Sequence, residues 1–563
     1  MEKGGGGGEG ILLSLLAASL LLLAQPPFQF ILLPFLALTP LVAALGRLSR
    51  GPGESGPERP LEPLGQSRPT RGTGPGEPRE AKRKAFRVEN AGERASRTSL
   101  WYGLSFGLLY WGVLLSWVPL EVGPEFSWAF PGYLAQVGLL SLLTALMAWC
   151  THLLNRRRGV PLFLAFPLAW VGMEWLKAHF PFGLSFPWLG LGITLTAWPE
   201  WLGMAEWVGE SGVSFWLALV NGLLGSAFLG GELRANASPS GTLARRLRLT
   251  SLGVLAAGLP ALLGVARSRT LSLEPGPRVA VVGTHVSGSL RRDPVAGSAA
   301  ALEQVEGLLE GLGPGEADLV ILPEALVGIP LDESSAAAFR NRLVKLARSL
   351  ETPVLFGALG GGTEGQLPAN SAFLLGPQGG IQARYDKVRL VPGMEWGGYR
   401  KGRDSRTLGM GRMALGPLIC YESIFGSLSR SYGKQGGTLL VNLTSDVWFG
   451  TWDSWPGRGF LTQHPAHLVM RAVETRMGVA RAANGGVSLL LDPLGRPLTA
   501  PLSPGPGLAL SPVPLGPGPT LFSRTGDLAG PAAVFGLLAL LVPWGTLLGV
   551  LRDRFGHEGD RAG

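Results

Sequence analysis

Cys420 follows an apolar, strand-like run at residues 414–419, and Tyr421 and Glu422 come directly after it. Such a run predicts a buried strand that delivers a reactive side chain at its carboxyl end, the edge at which open α/β sheets carry their chemistry. The sequence holds only two cysteines, and the other, Cys150, lies in a hydrophobic segment. Cys420 therefore has no disulfide partner in the soluble part of the chain. A lone buried cysteine can equally act as a small apolar side chain, so other residues must decide between the two roles.

Two further stretches place a carboxylate and an amine in comparable positions. Residues 319–323 predict a buried strand that ends in a proline break, and Glu324 stands at its tip. Lys387 lies within residues 385–392, beside an apolar segment. Taken singly, Glu324 is compatible with a helix cap and Lys387 with a surface charge. Together with Cys420, however, they favour a chemical site over a packing role for the thiol.

The composition indicates an integral membrane protein. The 563 residues leave room for several domains, and 46% hydrophobic residues, 16% charged residues and a mean hydropathy of +0.25 are unusual for a soluble protein. The formal net charge is +9, but most basic residues stand in loops beside hydrophobic segments, where they set membrane orientation. Nucleic acid is excluded as a partner because the sequence has neither zinc-finger spacing nor an RNA-binding signature. Two cysteines fit neither a disulfide framework nor a cysteine-based metal site.

Eight hydrophobic segments are predicted to cross the membrane as helices. Two lie within residues 1–46, five within residues 100–270 and one at residues 528–551. Basic residues concentrate in the second, fourth and sixth loops, whereas the third loop carries Glu121 and Glu125. This alternation predicts that the N-terminus lies in the cytoplasm and that the chain beyond the seventh segment lies outside it.

Residues 47–99 differ from these segments. They are rich in glycine, proline and charged residues and show no apolar periodicity. Such a stretch cannot bury enough apolar surface to offset the entropy lost on ordering. We therefore predict a disordered, basic loop on the cytoplasmic side.

Between residues 277 and 515 the pattern changes to alternating strands and helices, which predicts one α/β domain. Two glycine-rich stretches of this domain, residues 393–413 and 448–460, carry aromatic side chains. They are expected to be either mobile arms that dip into the membrane interface or ordered loops that cap the domain. Residues 180–189, before the domain, form either an aromatic belt or a lipid entrance. The candidate entrance and arm residues are Trp188, Met394, Trp396, Trp448 and Phe449.

Taken together, these features resemble the nitrilase, or carbon–nitrogen hydrolase, superfamily. With seven predicted spans before the α/β domain and one after it, the chain resembles the membrane-bound branch of that superfamily, the bacterial apolipoprotein N-acyltransferases. The motifs that carry the resemblance, besides Glu324, are Phe186-Pro187-Trp188, Lys387 with Glu395 eight residues later, Cys420-Tyr421-Glu422, Asn442, Asp446-Val447-Trp448-Phe449-Gly450, Gln463-His464, Arg471-Ala472-Val473-Glu474 and Arg481-Ala482-Ala483-Asn484-Gly485-Gly486.

The resemblance implies an α-β-β-α sandwich and a Glu-Lys-Cys triad. Glu324 would be the general base, Cys420 the nucleophile, and Lys387 the cation that stabilises the thiolate and the oxyanion. The backbone N–H of Tyr421 would be a second oxyanion donor. Glu395 and Glu422 would orient Lys387.

The resemblance also implies the reaction. An acyl chain would pass from a membrane phospholipid to Cys420 as a thioester, and then to the α-amine of the diacylated N-terminal cysteine of an apolipoprotein, without a cofactor or metal. A monomer is expected in the bacterial inner membrane, with its catalytic domain on the periplasmic side. Two alternatives stay open, namely a membrane-anchored amidase or nitrilase that hydrolyses a small C–N substrate, and an inactive lipoprotein-binding scaffold.

Overall fold

A computed structural model describes residues 5–49, 77–124, 126–181, 183–229, 239–361 and 366–542. The helices outside the α/β domain are α1 (Gly5–Ala24), α2 (Leu33–Leu36), α3 (Thr39–Leu48), α4 (Glu77–Leu114), α5 (Ala129–Arg158), α6 (Leu162–Ala178), α7 (Ala205–Phe228) and α8 (Pro239–Thr270), with α14 (Leu521–Thr525) and α15 (Ala529–Leu541) after the domain. Within the described ranges, four helices are long and apolar enough to cross a membrane, and they lie in α1, α5, α7 and α8.

The structure differs from two sequence predictions in this part of the chain. The second predicted span is broken into α2 and α3 rather than being one continuous helix. Pro34 and Pro40 stand at the second position of α2 and α3, where proline is tolerated, whereas inside a continuous helix it removes a backbone hydrogen bond. The predicted disordered loop is wrong for residues 77–99, which form the first half of α4. These residues are rich in alanine, glutamate, lysine and arginine, which favour helix, and they continue into an apolar helix. The rest of that loop from residue 50 to 76, and residues 543–551 of the last predicted span, lie outside the described residues.

The domain holds two β-sheets. Its strands are β1 (Arg278–Gly283), β2 (Leu319–Ile321), β3 (Val327–Pro330), β4 (Val354–Gly360), β5 (Ala369–Leu375), β6 (Ile381–Asp386), β7 (Leu408–Met410), β8 (Met413–Ile419), β9 (Leu439–Ser445), β10 (Gly478–Asn484), β11 (Leu489–Leu491) and β12 (Gly507–Pro512). The first sheet runs β12-β1-β2-β4-β5-β6 with β3 beside β4, and the second runs β11-β10-β9-β8-β7. Three of these strands, β3, β7 and β12, were not predicted from the sequence.

The sheets pack face to face with helices outside them. In β1, Val279 and Val281 join the core shared with the second sheet, while Ala280 and Val282 pack under α10 (Pro294–Leu309) and α11 (Ala337–Leu350). This period of two is what a doubly covered strand produces. Helices α12 (Gly426–Lys434) and α13 (Trp455–Thr475) pack on the second sheet. The arrangement is the expected α-β-β-α sandwich.

Strand direction brings the ends of both sheets to one edge. Strands β1, β2 and β4 are parallel, as are β8, β9 and β10. Because β5 runs antiparallel to both β4 and β6, the start of β5 and the end of β6 reach the same edge as the end of β4. Side chains that follow β2, β6 and β8 can therefore meet between the sheets.

Helix α13 ties the domain to the membrane helices. Ser454 caps it by accepting a hydrogen bond from the N–H of Gly457, so part of the second predicted arm is helical. At its other end, Arg476 pairs with Glu206 of α7 at 2.7 Å, and Arg267 of α8 donates to the same carboxylate at 2.7 Å. The side chains of Arg476 and Glu206 are only 2% and 4% exposed, so this contact is a buried ionic joint.

We predict that Glu206→Ala strongly destabilises the protein, because it leaves the Arg476 guanidinium buried without its carboxylate. Breaking a buried pair in this way costs about 3–5 kcal/mol. The measurement is the free energy and midpoint of unfolding in detergent, followed by tryptophan fluorescence. The matched control is Glu306→Ala, which removes the partly exposed Arg342 pair between α10 and α11 and should cost no more than about 1 kcal/mol. Equal losses from the two variants would contradict the assigned role of the joint.

Candidate active site

Cys420 stands at a strained turn. β8 ends at Ile419, and Cys420 opens a short 3-10 turn with a φ of +51°, in the left-handed region that non-glycine residues rarely adopt. The Ser423 hydroxyl donates to the Cys420 carbonyl at 3.0 Å, and the Ile419 N–H donates to Glu422 at 2.8 Å. The thiol-bearing residue is 5% exposed. Strain of this kind persists only where surrounding contacts enforce it, and here the contacts fix the direction of the thiol.

Glu324 lies on a second tight turn, beyond the end of β2. The next residue, Ala325, also has a positive φ of +47°. The turn sits directly against Gly357 of β4, where an added Cβ would come within 2.6 Å of both Glu324 Cα and Ala325 N. One Glu324 oxygen, Oε2, accepts the backbone N–H of Ser445 at 2.8 Å from the second sheet. The carboxylate is thus positioned by both sheets.

Lys387 follows β6 and is 1% exposed. Its Nζ lies 3.2 Å from Glu324 Oε1 and 2.9 Å from Glu395 Oε1. Asn370, at the start of β5, donates from Nδ2 to the same two oxygens at 2.8 and 2.9 Å. Glu395 also accepts the backbone N–H of Val391 at 2.7 Å. The Lys387 ammonium group and the Asn370 amide each contact both carboxylates, those of Glu324 and Glu395, and so hold the two carboxylates in a fixed arrangement.

The electrostatics of this cluster favour a charged lysine and a neutral thiol. Burial opposes the charge on Lys387, but the carboxylates of Glu324 and Glu395 outweigh it and hold its pKa well above the usual value. Burial and the negative charge of Glu324 raise the pKa of Cys420, although Lys387 and a hydrogen bond from Thr444 act in the opposite direction. The resting group is therefore a thiol, and any reaction in which Cys420 acts as a nucleophile must remove its proton.

Glu422 connects Lys387 to the Cys420 turn. Its Oε1 accepts the Tyr385 hydroxyl at 2.9 Å and the backbone N–H groups of Val388 and Arg389 at 2.7 and 3.0 Å, while Oε2 caps the Cys420 turn. Burial raises the pKa of this carboxyl to about 7 even though its donors favour the charged form. Glu395 thus contacts the Lys387 ammonium directly, whereas Glu422 holds the backbone on both sides of the cluster.

A second buried network, formed by Asp446, Arg481 and His464, supports the Cys420 turn. Asp446 pairs with Arg481 at 2.5 Å and with His464 Nδ1 at 3.1 Å. His464 Nε2 lies 3.0 Å from the Ser423 hydroxyl and 3.2 Å from the Cys420 carbonyl oxygen. Burial opposes the charge on Asp446, but Arg481 and His464 hold its pKa down at about 2. His464 therefore has a structural partner on each ring nitrogen.

Two cavities meet at Cys420. An apolar one of about 460 Å³ lies between the membrane helices and the domain, and a polar one of about 300 Å³ holds Glu324, Lys387 and Glu395. All the predicted entrance and arm residues line at least one cavity. Trp188 and Trp396 line the apolar cavity, Trp448 the polar one, and Met394 and Phe449 line both. Tyr421 lines the apolar cavity, and its hydroxyl donates to the Ser185 carbonyl at 2.9 Å.

Three residues of the site escaped the sequence analysis. Asn370 bridges the two carboxylates, Gly357 admits the Glu324 turn, and Arg291 lines the polar cavity. Asn370 and Gly357 carry no local signal, because their importance depends on which strand lies beside which. Arg291 carries a local signal, because it lies in the segment after β1, and β1 ends at the sheet edge that also carries Glu324.

We predict that Cys420 is alkylated slowly at neutral pH and that its alkylation rate still rises with pH at about pH 9. Its raised pKa keeps it protonated where a free thiol, with a pKa near 8.5, would already be mostly ionised. The measurement is the rate of iodoacetamide labelling of the Cys420 peptide by mass spectrometry, with Cys420→Ala as the blank. A plateau below about pH 8 would show instead that Lys387 dominates and stabilises a resting thiolate.

Comparisons with known proteins place the chain in a family. The family model "Apolipoprotein N-acyltransferase N-terminal domain" matches residues 85–223, and "Carbon-nitrogen hydrolase" matches residues 278–515. Among curated proteins named apolipoprotein N-acyltransferase, one from Geobacter metallireducens is 30% identical, covering 79% of this chain and 87% of the relative. One from Methylococcus capsulatus is 31% identical, covering 70% and 78%.

Among solved structures, an amidase from Nesterenkonia sp. covers 44% of this chain and 93% of its own, with 23% identity and a TM-score of 0.35. The domain has the carbon–nitrogen hydrolase fold, in accordance with the match to that family model. From the shared identity over most of both chains, this protein belongs to the apolipoprotein N-acyltransferase family.

Proposed function

We propose that this chain is an acyltransferase of the bacterial inner membrane. It moves a fatty acyl chain from a phospholipid, through a thioester on Cys420, to the N-terminal α-amine of the diacylated cysteine of an apolipoprotein. The observation that carries the proposal is the position of Cys420 between a large apolar cavity and a buried Glu-Lys-Glu cluster. A small-amide hydrolase has no need of an apolar cavity of about 460 Å³ beside its nucleophile, and the relatives' names point the same way.

In the first half of the reaction, Glu324 takes the thiol proton as Cys420 Sγ attacks the ester carbonyl of the phospholipid. Lys387 Nζ and the backbone N–H of Tyr421 stabilise the oxyanion. The C–O bond then breaks, and the lysophospholipid leaves with the proton from Glu324. In the second half, the α-amine attacks the thioester carbonyl and Glu324 accepts a proton from the nitrogen. The C–S bond then breaks, the amide forms, and Glu324 returns the proton to the departing Cys420 sulfur.

The proposed membrane arrangement follows the loop charges. Residues 1–46 form two spans, residues 47–99 a basic cytoplasmic segment, residues 100–270 five spans and residues 528–551 the last span, eight in all. Residues 277–515 then lie on the periplasmic side, where diacylated apolipoproteins present their N-termini. The protein acts as a monomer and needs no cofactor.

The test is to trap the thioester. Purified protein in detergent, given acyl-labelled phospholipid and no acceptor, should acquire a hydroxylamine-sensitive label. Cys420→Ala should acquire none, and Cys150→Ala, which removes the other cysteine, should be labelled like the parent. Lys387→Met should slow labelling about 10²–10³-fold, the usual loss on removing an oxyanion donor. An unlabelled parent whose Cys420 still reacts with iodoacetamide would refute phospholipid as donor, and ammonia release from small amides would then favour the hydrolase.

We further predict that Gly357→Ala slows thioester formation about 10²-fold, because the new Cβ displaces the Glu324 turn, and a shift near 1 Å in a reacting group costs about that much. The matched control is Gly409→Ala in β7, where an added Cβ meets nothing within 4 Å. The measurement is the rate of acyl labelling for both variants beside the parent. Equal rates for the two variants would show that the turn tolerates displacement.

A further inference from the structure

Arg291 has a role that the proposed chemistry does not use. It is the last residue of the short helix α9 (Gly288–Arg291), and its side chain lines the polar cavity with Glu324, Lys387 and Cys420. One guanidinium nitrogen, Nη1, donates to the Ala325 carbonyl. The other two, Nε and Nη2, are buried and have no hydrogen-bond partner in the described part of the chain.

Buried donors without partners are costly, about 1–3 kcal/mol each and more for charged groups. Burial lowers the pKa of Arg291 to about 10, against the influence of Glu324, so the group stays charged at neutral pH. Lys387, the other cation among the described residues lining this cavity, is already shared between two carboxylates. Arg291 therefore offers the cavity a positive charge with two donors in the fork geometry that fits a phosphate or carboxylate.

We propose that Arg291 binds the phosphate of the phospholipid donor, while the acyl chain that is transferred occupies the apolar cavity. This inference rests on the proposed function. In a phospholipid the short glycerol backbone keeps the reacting ester close to the phosphate. Cys420 and Arg291 line one cavity, so a single phospholipid can present its ester to Cys420 and its phosphate to Arg291. The acceptor brings an amine to the site, which a cation does not attract. The anion that fits here therefore belongs to the donor.

The experiment compares two acyl donors that differ in the phosphate headgroup. Rates of thioester formation are measured with dipalmitoyl phosphatidylethanolamine and with dipalmitoylglycerol, for the parent, Arg291→Gln and Arg291→Lys. Arg291→Gln should lower the rate with the phospholipid about 10- to 100-fold, as expected for lost hydrogen bonds to a charged group, and leave the rate with dipalmitoylglycerol within about threefold. Arg291→Lys, which keeps the charge but not the fork, should fall between. Arg292→Gln removes the same charge from the exposed neighbouring residue and should match the parent.

Equal losses with both donors would overturn the inference, because Arg291 would then act only by holding the turn after Glu324 through the Ala325 carbonyl. No loss with either donor would equally exclude the headgroup as its ligand and leave a free anion. If Arg291→Gln does not fold, as judged by its thermal unfolding, the same ratio is read from Arg291→Lys. A parent that takes no label from phospholipid would instead defeat the proposed function itself, so the two failures are distinguishable.

Discussion

The site depends on one buried ammonium group held between two carboxylates. An isolated charge at the depth of Lys387 would be too costly to keep, so Glu324 and Glu395 must stay beside it. Because Glu324 follows β2, Lys387 follows β6 and the bridging Asn370 begins β5, this one requirement fixes three positions along the edge of the first sheet. The base and the oxyanion-stabilising cation of the proposed reaction are therefore set in place before any substrate arrives.

The proposed nucleophile, Cys420, comes from the second sheet, so the proposed reaction also depends on how the two sheets are joined. Glu422 links the backbone after Lys387 to the turn at Cys420, and Ser445 of the second sheet donates to Glu324. These hydrogen bonds cross the sandwich at its functional edge and hold Cys420 in a strained conformation. Helix α13 then packs this sheet against the membrane helices, which brings the apolar cavity to the thiol.

The sequence was informative where a side chain directly follows an apolar strand. Glu324 and Cys420 come after the apolar, parallel strands β2 and β8, and Lys387 follows β6, which pairs with the antiparallel β5 and so ends at the same edge. Asn370 and Gly357 were missed because a strand does not reveal its neighbours, and their roles come from the turn or carboxylates beside them. The helix at residues 77–99 was not predicted because their polar composition is also typical of disordered linkers. The apolar helix that follows nucleates these turns, and their high helix propensity lets them continue it.

The raised pKa of Cys420 follows from the same burial that makes the site useful for acyl transfer. A thioester that must await a second lipid substrate has to be kept from water, and a thiol placed between packed aromatic side chains and an apolar cavity is kept from it. That environment also keeps the resting thiol protonated, so the sulfur is a weak nucleophile until its proton is taken. In the proposed reaction, Glu324, which Lys387 and Asn370 hold in the cavity that Cys420 also lines, supplies the base at the moment of attack. Burial of Cys420 thus explains both the slow reactivity of the resting thiol and the protection of the acylated enzyme from water. The buried lysine–carboxylate cluster makes this burial compatible with catalysis, because it holds a base ready for the thiol proton.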